Sequence, residues 1–348
     1  MKPSVSQFVF GVLVGSLVTC VAFAMLGQRS KSSSGGSARE ITEITEITVA
    51  HGLPVEHPVH AGIEEFGREL EKLSGGALKV NIFPGAQLGK ETVCLEKTQQ
   101  GEIDITKVSC APIGNFVPVF KLFSLPYLFR DREHYWRVLD SDVGGDLLNE
   151  LSTLEGGGSS GLVGMTWFDA GSRSFYATRG LEGPESLAGL KIRVMEDPVA
   201  EATVKALGAS AVTMSFGELY TSLKQGGVDG AENNPPSLHS SRHFEVCKNY
   251  LLDEHSRIPD VLVAGSKFWD SLSETEKEWV RKASKHASQF QRDLWAEASQ
   301  KSLDELKEAG VTVRSADTAK FQKLTEDVVE KFATGQRKTY VGRIKGVQ

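Results

Sequence analysis

The chain has no H-E-x-x-H, no nucleophile in a recognisable elbow and only one long uncharged run in 348 residues. Each absence excludes a class. Without H-E-x-x-H, no helix presents two histidines and a general base to a catalytic zinc. The one G-x-S-x-G match, Gly157 to Gly161, lies in a Gly/Ser run and not at a strand-to-helix turn, so no serine reads as the nucleophile of an α/β-hydrolase. One uncharged run, Val5 to Leu26, is too few for a polytopic membrane protein. Bases are also short. Residues 1–39 contain Lys2, Arg29, Lys31 and Arg39 and no acid, so the rest carries 35 of the 39 bases against all 45 acids. A body that acidic is a poor partner for nucleic acid, whose phosphates call for a basic surface. Any anion it binds must be held by a few local arginines. Cysteine is scarce too. Cys20 lies in the N-terminal run, and Cys94, Cys110 and Cys247 make an odd number in the body, too few for a disulfide framework. They read as small buried side chains, with a Cys94–Cys110 bridge as the alternative.

What remains is ordinary globular composition, 40% hydrophobic and 24% charged. Its length suits two domains or one large α/β unit. Lys2 precedes the uncharged run and Ala22-Phe23-Ala24 follows its apolar centre, the pattern of a secretory signal peptide. A single membrane anchor and a lipid on Cys20 are the rivals. Ser30 to Ala38 is a Gly/Ser-rich tether.

Alternation of Ile47 and Val49 predicts a strand. Pro58 suits the first position of a helix, and Val59, Ile63, Phe66, Leu70 and Leu73 form one apolar stripe that stops at Gly75-Gly76. Leu78, Val80 and Ile82 alternate again. The sum is a β-α-β unit, hence a parallel sheet. A helix over about Glu91–Gln100 and a strand at Ile103–Val108 follow. The run Gly156–Gly161 reads as a linker or inserted turn, after which a second α/β series opens with strands at Leu162–Phe168, Arg173–Thr178 and Leu190–Met195. Capping boxes begin helices at Ser215–Glu218 and Ser273–Glu276. The second helix, with stripe Trp279, Ala283, Ala287, Phe290, Leu294 and Ala298, predicts roughly 36 residues and roughly 54 Å, too long for one domain to shelter.

Few motifs carry chemistry. Gly85 to Glu91 resembles a phosphate loop but lacks one residue, and Glu91 stands where a magnesium-binding hydroxyl belongs. His51, His57, His60, His239 and His243 show no metal-ligand spacing, so neither a metal nor a cofactor is expected. Arg193 interrupts the apolar strand Gly189-Leu190-Lys191-Ile192-Arg193-Val194 and, buried, needs an anionic partner. That partner is either a ligand or an acid such as Asp197.

GLKIRV, the Phe216-Gly217-Glu218-Leu219-Tyr220 helix start and Val228-Asp229-Gly230-Ala231-Glu232-Asn233-Asn234-Pro235 resemble the solute-binding subunits of tripartite ATP-independent periplasmic (TRAP) transporters, the DctP family. The resemblance runs from about Ile44 to the last turn. It implies a two-domain α/β periplasmic-binding-protein fold of the type II kind, with a hinge and a long helix spanning both domains. It places residues 1–24 as signal peptide or anchor and 25–40 as linker. Domain 1 is then 41–168 plus about 259–298, and domain 2 is 169–258 plus about 299–348. By this resemblance Arg193 clamps a substrate carboxylate, Arg173 assists, Asn233 follows the VDGxE turn and Phe216 lines the pocket. The stretches His57–His60, Lys107–Ser109, Phe123–Arg130 and Glu232–Ser237 resemble the branch that binds sugar acids, above all hexuronates. There His51, His57, Glu91, Lys107 and Ser109 would meet hydroxyls from the first domain. The implied role is periplasmic capture and delivery to membrane permease subunits, with no bond chemistry. A C4-dicarboxylate or keto acid is the alternative ligand. A periplasmic sugar-acid enzyme or a ligand-sensing subunit is the alternative class.

Overall fold

The computed structural model describes residues 44–154 and 157–348. The signal-like run, Cys20 and the Gly/Ser stretch lie outside them. Residues 43–348 form one compact unit built on two sheets. The strands are β1 Thr45–Ala50, β2 Leu78–Phe83, β3 Ile105–Ser109, β4 Leu162–Phe168, β5 Arg173–Ala177, β6 Lys191–Val194, β7 Ser210–Thr213, β8 Gly230–Asn233, β9 Asn249–Ser256, β10 Asp260–Gly265 and β11 Thr312–Ser315. The first sheet has the order β2-β1-β3-β10-β4 and the second β11-β9-β5-β8-β6-β7. In the first, β1 is parallel to β2 and β3, and β10 runs antiparallel between β3 and β4. In the second, β6, β7 and β8 are mutually parallel.

The first helix starts where Pro58 suggested. His57 caps it by accepting the Val59 N–H, and Val59, Ile63, Phe66 and Leu70 are fully buried on one side. Gly75, with φ of 63°, closes it in the left-handed region that glycine enters at least cost. Both capping boxes form, at Ser215–Glu218 and Ser273–Glu276. The run around Gly157–Gly161 is a turn and not a boundary between series. Leu162–Phe168 joins the first sheet as its edge strand beside β10, and the second sheet opens only at Arg173.

The chain crosses between the sheets after β4, after β9 and along the helix Glu274–Glu308. That helix has 35 residues. At a rise of about 1.5 Å per residue it is about 52 Å long. It packs on the helix Pro58–Ser74 and β4 of the first sheet, and on the helix Pro235–Ser240 and β11 of the second. Its buried side differs from the apolar stripe read from the sequence. It runs through Val280, Ala283, Ser284, Ala287, Ser288, Gln291 and Trp295, while Phe290 is 36% exposed. The polar members are buried because each has a partner. Ser284 Oγ donates to the Val280 carbonyl, Ser288 Oγ to the Trp167 carbonyl, and Gln291 brackets the backbone of Asp169. The last helix, Gly335–Gly346, packs on Pro118–Ser124 and Asp142–Glu150, which lie on the first-sheet side. Among the described residues, no helix is long and apolar enough to cross a membrane.

Candidate functional site

The carboxyl ends of parallel strands from both sheets open onto one cavity of about 260 Å³. Gly52 and Leu53 follow β1, and Lys107 and Ser109 end β3. On the other side, Arg193, Met195 and Glu196 come from β6 and the residues after it. Met214 and Ser215 follow β7, while Asn233 and Asn234 come at the end of β8. This is where open α/β sheets bind ligands, because chain reversals there leave a crevice lined by loop and strand-end groups.

The second-sheet wall carries two buried arginines. Arg193 is buried, and its Nε and Nη2 donate to the Met214 carbonyl at 3.0 and 2.8 Å. No acid pairs with it among the described residues. Asp197, the rival partner, instead caps the helix Pro198–Ala206, its Oδ1 accepting the Val199 N–H at 2.9 Å. Burial lowers the Arg193 pKa from its ordinary value, the mark of a desolvated charge without a counter-ion. The Phe216 ring lies 5.8 Å from its guanidinium carbon. Arg173 is engaged differently. Its Nε and Nη2 hold the Glu232 carboxylate, Nη2 also donates to the Glu232 carbonyl at 2.7 Å, and Nη1 donates to Asn233 Oδ1 at 2.9 Å. Behind them, His255 Nδ1 bonds Asp253 at 2.8 Å. Burial alone would lower the His255 pKa, but Asp253 and Glu232 hold it up at about 9. Burial alone would raise Glu232, but Arg173 and His255 hold it at about 2. Arg173 is thus a positioned, neutralised cation, and Arg193 is the unmatched one.

The first-sheet wall is built at the tips of β3 and β10, where Ser109 and Asp260 are register partners. Lys107 Nζ donates to Glu91 Oε1 at 3.0 Å and to Asp260 Oδ2 at 3.1 Å, and the Ser109 N–H donates to Glu91 at 3.1 Å. Burial opposes the charge on Lys107, but Asp260 and Glu91 raise its pKa above the ordinary value. Glu91 opens a helix directly after the glycine turn Gly85–Gly89. Gly89 has a φ of 128°, and a Cβ there would stand 2.7 Å from Val93 Cγ1. The glycines of this turn serve a tight entry into the helix, not a phosphate.

Three polar contacts tie the walls together at the cavity. His57 Nε2 meets Ser237 Oγ at 3.2 Å, Lys90 pairs with Glu196, and Asn115 Nδ2 donates to the Glu196 carbonyl at 2.6 Å. Eight of the nine residues singled out from sequence line this cavity: Arg193, Arg173, Asn233, Phe216, Glu91, His57, Ser109 and Lys107. His51 does not. Its Nδ1 accepts the Leu53 N–H and its Nε2 bonds His60 Nδ1 at 2.9 Å, so both ring nitrogens are taken by the fold. Asp260, Ser237, Lys90 and Glu196 line the cavity and were not singled out. For Asp260 a signal existed: an acid heading the apolar run Val261–Ala264 needs a cation, and Lys107 lies in a run of the same kind. Among the described residues, no cluster of His, Cys, Asp and Glu could hold a metal ion.

A cavity between two α/β sheets that carries an unmatched guanidinium defines a binder of small organic anions. Residues 49–336 match the family model DctP, bacterial extracellular solute-binding protein, family 7, and the chain belongs to that family. A solute-binding protein from Chromohalobacter salexigens is 32% identical over 281 residues, covering 80% of this chain and 82% of the relative. Two solved structures share the fold at similar identity. A TRAP periplasmic solute-binding protein from Xanthobacter autotrophicus Py2 with bound β-D-galacturonate aligns with a TM-score of 0.83 and 36% identity, over 87% of this chain and 100% of that one. Another, from Pseudomonas putida F1 with bound D-glucuronate, gives 0.84 and 32%, over 87% and 98%.

Proposed function

We propose that this chain captures a hexuronate such as glucuronate or galacturonate between its two sheets and delivers it to the membrane permease subunits of a TRAP transporter. The observation that carries this reading is Arg193, a buried guanidinium fixed by a carbonyl and matched by no acid among the described residues. A carboxylate complements that fork with short charge-assisted bonds, a geometry lysine cannot offer. Arg173 and Asn233 flank the same anion, and Phe216 covers it. Hydroxyls of the sugar meet Glu91, Lys107, Ser109 and His57 on the opposite wall.

The reading assigns 41–168 with about 259–298 to one lobe and 169–258 with about 299–348 to the other; the packing of Gly335–Gly346 on Pro118–Ser124 and Asp142–Glu150 supports moving that helix to the first. Ligand favours the closed arrangement only through contacts made there. The protein works outside the cytoplasm, tethered or released by its N-terminal segment. The role is capture without chemistry, and the hydrogen at His57 supports this. Its Nδ1 accepts the Val59 N–H, so Nε2 carries the proton and donates to Ser237. A ring in that tautomer cannot take the serine's proton as a general base.

Calorimetry on residues 40–348 with glucuronate, galacturonate, succinate and pyruvate tests the proposal. Tight binding of a hexuronate without turnover is the expected outcome. Tight binding of succinate alone, or conversion of any sugar acid, overturns it.

A further inference from the structure

The cavity's two walls differ in charge, and the difference selects among acids. On the second-sheet side Arg173 is balanced by Glu232, which leaves Arg193 as the cation available to a ligand. On the first-sheet side one ammonium, Lys107, faces two carboxylates, Glu91 and Asp260, and both carboxylates line the cavity. That cluster is formally one charge negative, and Lys90, the other cation lining this side, is matched by Glu196. Glu91 also lies close enough to Arg193 to act on it electrostatically across the cavity.

We infer that Glu91 and Asp260 are specificity-determining residues that restrict this site to acids with a single carboxylate and exclude diacids. The inference rests on the sugar-acid reading above for the orientation of the ligand, with its carboxylate on Arg193. A ligand held that way presents its far end to Glu91 and Asp260. Hydroxyls there donate to carboxylate oxygens. A second carboxylate has no proton to donate, and it meets two like charges that share one cation. Nor does Lys107 stand free to receive it: two of its three N–H groups already go to Glu91 and Asp260. Repulsion built against the wrong ligand is one of the two routes to specificity, beside added attraction to the right one. The same argument applies to short dicarboxylates such as succinate, which would need a second cation where the wall is acidic.

The test compares D-glucuronate with D-glucarate, which carries a carboxylate at both ends of the same six carbons, and adds D-gluconate, pyruvate and succinate. Calorimetry is run on the parent, Glu91→Gln and Asp260→Asn, each checked by thermal melting for a folded state. For the parent, glucarate should bind at least about 100-fold more weakly than glucuronate, as expected for like charges a few ångströms apart in a partly screened cleft. Each neutralised variant should narrow that ratio about tenfold or more through tighter binding of glucarate than the parent shows. A parent that binds glucarate or succinate as tightly as any monoacid overturns the inference, as does a ratio unchanged in both variants. A parent that ignores both hexuronates but binds gluconate or pyruvate and rejects the diacids sinks the hexuronate reading alone and leaves the acidic wall standing.

Discussion

Arg193 is a guanidinium oriented by one backbone oxygen, and that is an unusual way to keep a charge out of water. The sequence showed an arginine in an apolar strand and could not choose between a ligand and Asp197 as its partner. The choice depends on where Met214 and Asp197 sit, and local pattern does not specify either. With Asp197 engaged at a helix cap, Arg193→Ala should weaken hexuronate binding. The expected loss is about 2–5 kcal/mol, the cost of leaving a desolvated carboxylate unpaired. At about 1.4 kcal/mol per decade that is roughly 30- to 4,000-fold, readable by calorimetry. Arg193→Lys should lose most of the affinity as well, because it keeps the charge and not the fork. Parent-like binding by the lysine variant would mean that charge alone suffices. Asp260 shows the complementary limit. Its partner Lys107 is 153 residues away, and only the pairing of β3 with β10 brings them together.

Elements were more legible than their faces. The helix at Pro58, both capping boxes and the length of the helix after Ser273 follow from local rules that tertiary packing did not override. The buried face of the long helix did not follow from them, because hydrophobic periodicity is blind to a polar residue with a buried partner. Gln291 is the clearest case. It is fully buried, its Oε1 accepts the Asp169 N–H at 2.8 Å, and its Nε2 donates to the Asp169 carbonyl at 2.8 Å. It thereby fastens the chain to the helix just where β4 leaves the first sheet for the second. Gly171, two residues on, has a φ of +62°, and a Cβ there would stand 2.8 Å from Trp295 Nε1. Gln291→Ala should destabilise the protein by about 1–3 kcal/mol for each backbone group left buried and unpaired. Urea unfolding measures it, and a variant with the parent's midpoint would show that water replaces the amide without loss.

At the scale of the whole molecule, three polar contacts join the walls at the cavity, His57 with Ser237, Lys90 with Glu196, and Asn115 with the Glu196 carbonyl, while Met195, Val199 and Val328 share an apolar cluster with the first-sheet side. The part-exposed pair of Lys90 and Glu196 contributes little, so the two sides should part at the cavity when it is empty. Small-angle scattering with saturating hexuronate should show a smaller radius of gyration than without it, and an unchanged radius would count against a closing cleft. The three body cysteines bear on how such motion can be watched. Cys94, Cys110 and Cys247 are unpaired and buried. Burial pushes the Cys94 thiol up to about 11 and the Cys247 thiol up to about 12, far from the thiolate that reacts with maleimides. A body that begins after Cys20 therefore offers a silent background for chemical labelling. Val55, 52% exposed beside the first sheet, and Leu324, 47% exposed on the helix over the second, are open positions for introduced cysteines. A dye pair attached there would report the opening and shutting of single molecules with every native thiol left in place.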